Sequence, residues 1–167
     1  MTVAQIASSA GVSHMTFFRH FPTKEAVVVA DLFDPVIAAG IRAQPQEWAP
    51  LRRAVRGLLA ALGDEGAQAE LTSAEFTQRI RLAASAPSLR GAVRASSQAT
   101  EDAIADALGG PGIDPLTARA AAAAVMGAAT SLLLEWAARG DSADEHTATD
   151  PVHVLRTGLA SLVGGPR

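Results

Sequence analysis

The chain contains no cysteine, which removes disulfides, thiolate metal sites and cysteine nucleophiles together and fits a reducing cytoplasm. Lysine is almost as scarce: Lys24 is the only one, and every other fixed positive side chain is an arginine. The first 24 positions hold no acidic residue, although the whole chain carries a net charge of −3 and a pI near 5.8. That balance argues against a protein that coats nucleic acid indiscriminately, while His14, Arg19, His20 and Lys24 leave the N-terminus locally basic. No apolar run reads as the roughly 18 residues of a membrane span, because the small-sided stretch 120–129 is interrupted by Gly127. A secretory signal is not recognisable at the N-terminus, which lacks a basic region followed by an apolar block. No segment alternates apolar and polar residues over a useful length, so strands are not expected. There is also no G-x-S-x-G elbow, no GxxxxGK and no G-x-G-x-x-G after a strand, and GGPG at 109–112 reads as a linker. These absences describe an all-α, non-enzymatic, soluble cytoplasmic protein of one or two domains.

What is present begins with residues 2–24, TVAQIASSAGVSHMTFFRHFPTK. Val3, Ile6, Ala7 and Ala10 recur at helical spacing, with Thr2 as N-cap and Gly11 at the left-handed position that ends the helix. Val12 is expected to turn back into the core. Ser13 caps a second short helix, Pro22 stops it, and Thr23 caps a third. Two short helices joined by a glycine turn make a helix-turn-helix, whose second helix is built to enter a DNA major groove. On that helix Ser13, His14, Met15, Thr16, Phe18, Arg19 and His20 are the candidates for DNA contact, whereas Phe17 and Phe21, four apart, pack inward.

The pattern IAxxAGVSxxTFFRHFPTKEAVV resembles the DNA-binding signature of the TetR family of bacterial transcription regulators. The resemblance implies that His14, Met15 and Thr16 fall at the groove-facing start of the recognition helix, and that Lys24 is a phosphate contact. Thr2 and Ser13 add phosphate hydrogen bonds. Phe18 stands where the family usually has a tyrosine, so the hydroxyl that touches a phosphate is missing, and the ring is left to sugars or a thymine methyl. The family normally has one more helix before this motif, for which the chain starting at Met1 leaves no room. The implied function is a ligand-responsive regulator, most often a repressor, working as a homodimer on a palindromic double-stranded operator. The alternative is a dimeric helical small-molecule-binding protein whose reading head is impaired.

Beyond the motif, residues 23–43 are strongly apolar and are interrupted by Asp34-Pro35. That dipeptide is either a joint between signal input and output or an ordinary helix boundary. Helices are expected over 51–62, 72–86, 89–108, 115–139 and 151–163, with breaks at 44–50, 63–66, 109–112 and an acidic loop at 141–150. Arg52, Arg53 and Arg56 are assigned to the solvated face of the 51–62 helix, opposite its leucines. The domains follow as a helix-turn-helix head over 1–30, lacking its first helix, and a helical ligand-binding and dimerisation domain over 31–167.

A helical domain of this kind encloses a mostly apolar cavity with few polar anchors. Its candidate lining is Phe33, Ile37, Leu58, Phe76, Ile80, Val93, Ser97, Thr100, Met126 and Thr130, with Arg79 placed to meet a carboxylate or phosphate. Residues 79–90, RIRLAASAPSLR, resemble the C-terminal domain of mycofactocin-type TetR regulators, which implies a small hydrophobic or acyl-type effector. The family resemblance also implies a four-helix dimer interface, expected through Ala122, Val125, Ala129, Leu132, Leu133 and Trp136 of one helix and Val154, Leu155, Gly158, Leu159 and Leu162 of the last. No cofactor is called for, and the cluster Glu145, His146, Asp150 and His153 fits no zinc spacing, so no metal is expected.

Overall fold

Prolines and short polar side chains start most of the helices of the body. The computed structural model describes residues 3–20, 34–139 and 150–164. In these it forms α1 (Val3–Ser9), α2 (His14–His20), α3 (Asp34–Arg42), α4 (Pro50–Ala61), α5 (Glu65–Leu71), α6 (Ala74–Ser85), α7 (Pro87–Leu108), α8 (Pro115–Arg139) and α9 (Pro151–Ser161). No strand occurs among the described residues. Pro50, Pro87, Pro115 and Pro151 each open a helix, where the missing N–H costs nothing and the fixed φ is already helical. Asp64, Ser73, Asp114 and Asp150 sit one residue before α5, α6, α8 and α9 and accept from first-turn N–H groups at 3.0 Å. At Asp114 the Thr117 hydroxyl donates as well, at 2.9 Å. These bonds, the hydroxyl's foremost, hold the Asp114 carboxyl below its ordinary range. The cap therefore stabilises α8 above the usual carboxylate titration and is lost as the pH falls through the lowered value.

The other ends of three helices are closed by arginines. Arg90 donates through Nε and Nη2 to Ala84 O at 2.8 and 2.6 Å, at the end of α6. Arg156 donates to Leu62 O at 2.8 Å, just past α4. Arg53 donates through Nη1 to Leu108 O at 3.0 Å and through Nη2 to Ala107 O at 3.5 Å, at the end of α7. The last carbonyls of a helix lack intrahelical donors and carry its negative end, so a guanidinium serves both needs. This corrects the expectation for Arg53. It is 3% exposed, not solvated, because its partners lie 55 residues away and cannot be seen on a helical wheel.

The body packs around Ile41, Val55, Ile104, Leu108, Val125 and Leu159, all fully buried. α8 runs through the middle of it, against α4, α6, α7 and α9. By length and composition α8 does qualify as long and apolar enough to cross a membrane, which corrects the reading that no stretch does. Ala118, Ala121, Ala122, Val125, Met126 and Ala129 are nevertheless buried against its neighbours, and a central core helix meets the same criteria. α5 is a further correction: residues 65–71 form a helix where Gly63 and Gly66 suggested only a break, because Asp64 caps it and Ala67 and Leu71 bury its inner side. α3 and α4 approach backbone to backbone, Gly40 against Gly57.

Candidate functional site

The N-terminal head is held by its turn. Gly11 takes φ +68°, where only a residue without Cβ is unstrained. Its N–H bonds Ser8 O at 3.1 Å and that of Val12 bonds Ala7 O at 3.0 Å, the paired bonds of a Schellman ending. Ser13 Oγ then accepts from Thr16 N at 3.1 Å and lies 2.8 Å from Thr16 Oγ1, so both hydroxyls are engaged in starting α2. Ala7 of α1 and Phe17 of α2 are both buried. Val12, expected inside, is 40% exposed, since the Schellman bond fixes its backbone without enclosing its side chain.

On the other side of α2 stand Met15, 82% exposed, and Arg19, also exposed, one helical turn apart. Thr16 is half-buried beside its cap and Ser13 is exposed. His14, Phe18 and His20 belong to α2, but their side chains lie outside the described structure, as do the residues Thr2 and Lys24.

A second feature lies in the body. Val36 and Ile37 of α3, Leu58 and Ala61 of α4 with Leu62 beyond it, and Ala67 and Leu71 of α5 surround a half-enclosed cavity of about 90 Å³. Met126, Ala129 and Leu133 of α8 and Leu155 of α9 complete it, and every lining residue is apolar. Of the residues expected to meet a ligand, Ile37, Leu58 and Met126 come together here. Phe76, Arg79, Ile80, Val93, Ser97, Thr100 and Thr130 do not line it, and Phe33 lies outside the described residues. The reasons are local. Arg79 is ion-paired with Glu70 at 2.6 Å and sits over the Phe76 ring. Ser97 gives its hydroxyl to Val93 O at 3.0 Å, and Thr100 is fully buried in α7. The lining from α5 was missed because that helix was.

The expected pairing face also divides. Ala122, Val125, Ala129, Leu155 and Leu159 are buried by the subunit's own helices, leaving no area for a second copy. Leu132, Leu133, Trp136, Val154 and Gly158 are half-buried, and Leu162 is exposed. Gly158 is filled from within the subunit, since a Cβ there would meet Leu132 Cδ1 at 2.5 Å. On the opposite side of α8, Leu116 (78% exposed), Ala120, Ala123, Ala124 and Gly127 form an exposed apolar face that periodicity alone did not single out.

No group of His, Asp or Glu able to hold a metal occurs among the described residues; Glu145 and His146 lie outside them. Asp150 is engaged as the α9 cap, and His153 lies 3.4 Å from the Thr157 hydroxyl.

Comparison with known families follows the same division of the chain. Residues 1–30 match the model described as bacterial regulatory proteins, tetR family. Residues 46–165 match that described as the MftR C-terminal domain. No curated protein matches the chain.

Proposed function

Because the chain belongs to the TetR family, a family of DNA-binding transcriptional regulators, we propose that it is a ligand-responsive repressor acting as a homodimer on a palindromic operator. It divides into a reading head over 1–30 and an effector and pairing domain over 31–167. The observation that carries the head's role is the two-sidedness of α2. Phe17 is buried, while Met15 and Arg19 stand exposed on the other side. A methionine that exposed has no packing role in the free head, whereas in a major groove it meets base edges and thymine methyls. Arg19 supplies a guanidinium one turn away, and Lys24 supplies a phosphate contact. The protein works where DNA is, in the cytoplasm, and has no catalytic step of its own.

The test is anisotropy of a labelled duplex from the gene's own upstream region, titrated at several salt concentrations. Lys24→Ala is expected to weaken binding to all duplexes alike and to lower the salt slope by about one. Met15→Ala and Arg19→Ala are expected to narrow the gap between operator and random duplex. Absence of any sequence preference in the wild type would remove the repressor reading.

Pairing is assigned to the outer face of α8, with α9 beside it, since half-sites about 34–36 Å apart require two heads related by a two-fold axis. Ala124→Glu on that face is expected to give a folded monomer in sedimentation equilibrium. A dimer of unchanged affinity would place the interface elsewhere. The effector then acts by differential affinity for two dimer states, only one of which spaces the heads for the operator.

A second reading rests on Val12, whose exposure leaves the described head with a thin core of Ala7 and Phe17. In that reading the chain is a dimeric binding protein with an impaired head. A folded dimer that binds small molecules but no DNA would favour it.

A further inference from the structure

We propose that the effector is a short aliphatic carboxylate, its alkyl tail in the apolar cavity and its head on Arg156; this rests on the ligand-responsive reading above. The cavity wall offers no polar side chain to a ligand, so a charged group entering it would lose its hydration without compensation. At about 90 Å³ it is also small: an apolar protein cavity of roughly 150 Å³ holds one benzene, so multi-ring ligands do not fit. What fits is a short hydrocarbon chain whose polar end stays outside.

The rim supplies the group for that end. Leu62 lines the cavity, and its carbonyl receives both Arg156 Nη2 at 2.8 Å and Gln68 Nε2 at 3.0 Å. Leu155, the chain neighbour of Arg156, lines the cavity as well. Arg156 is exposed, and only one bond from its five N–H donors is made to a described residue. Arg79, the other candidate for an anion, is already neutralised by Glu70. A guanidinium pairs a carboxylate in plane through two N–H groups, which an alcohol or an amine cannot match. The cavity thus selects for chain length and the rim for negative charge.

Calorimetry on the full chain with carboxylates, alcohols and amines of four to eight carbons tests this. Carboxylates are expected to bind about tenfold tighter than alcohols of equal length, the factor of one charged hydrogen bond. Each added methylene is expected to tighten binding about fourfold until the cavity is full. Arg156→Gln, which keeps a donor for Leu62 O, is expected to erase the carboxylate preference and leave alcohol binding unchanged. Ala129→Leu, which narrows the cavity, is expected to weaken both series, with circular dichroism confirming the fold. Equal binding of alcohols and carboxylates, or a preference that survives in Arg156→Gln, overturns the head-group assignment while the effector cavity stands. Failure of every series to bind the wild type overturns both.

Discussion

Arg53→Met is expected to cost about 2–4 kcal/mol of stability, a drop in melting temperature of roughly 4–16 °C for a chain this size. The substitution keeps the aliphatic stem and deletes the charge. Two effects then oppose each other. Losing a buried guanidinium relieves desolvation, and Arg53 Nε has no partner among the described residues to offset that cost. Against this, Leu108 O and Ala107 O lose the donor that closes α7, and Leu108 is itself fully buried, so water cannot replace it. Each orphaned buried carbonyl costs about 1–3 kcal/mol, and two of them outweigh the relief. Arg53→Lys retains the charge with one point donor in place of a fork, and is expected to fall between wild type and Arg53→Met. Thermal melts followed by circular dichroism decide it: a methionine variant as stable as wild type would mean that α7 ends without needing the guanidinium.

The same residue shows where sequence reading reaches its limit. The all-α fold, the Ser13 cap and the Gly11 turn are local chemistry, decided within four or five residues, and all stand in the sequence. Arg53 is decided by a partner 55 positions away. Gly57, small and one turn on from Arg53, was the available hint that another helix packs there. The cavity divides the same way. Periodicity marks Ile37, Leu58 and Met126 as apolar and inward, but only the packing of five elements shows that they converge while Val93 and Thr100 do not. The expected pairing face divides for a related reason. α8 is apolar all round, so its pattern does not say which side its own subunit covers.

Gly57→Ala is expected to be the most damaging single methyl in the body, costing about 3 kcal/mol or more. An added Cβ would overlap Ile41 Cγ1 and lie 2.6 Å from Ile41 Cα and 2.7 Å from Ile41 N. A side-chain atom alone can rotate aside, but two of these three atoms are backbone, so α3 itself must move off α4. Gly40→Ala meets Gly57 O at 2.6 Å and is expected to act in the same direction. Intrinsic propensity predicts the opposite sign, since alanine is favoured over glycine inside a helix by about 1 kcal/mol. Gly91→Ala in α7 isolates that term, because nothing lies within 4 Å of its added Cβ, and it is expected to raise the melting temperature. The consequence extends to the cavity. Val36 and Ile37 precede Gly40 by about one turn on α3, and Leu58 follows Gly57 on α4, so the helix contact sets the distance between two cavity walls. Gly57→Ala should therefore weaken binding of small apolar ligands as well as stability, while Gly91→Ala leaves binding unchanged. A Gly57→Ala protein that melts with the wild type and binds as tightly would show that α3 shifts at little cost, and that the wall it carries is set by something other than the glycine contact.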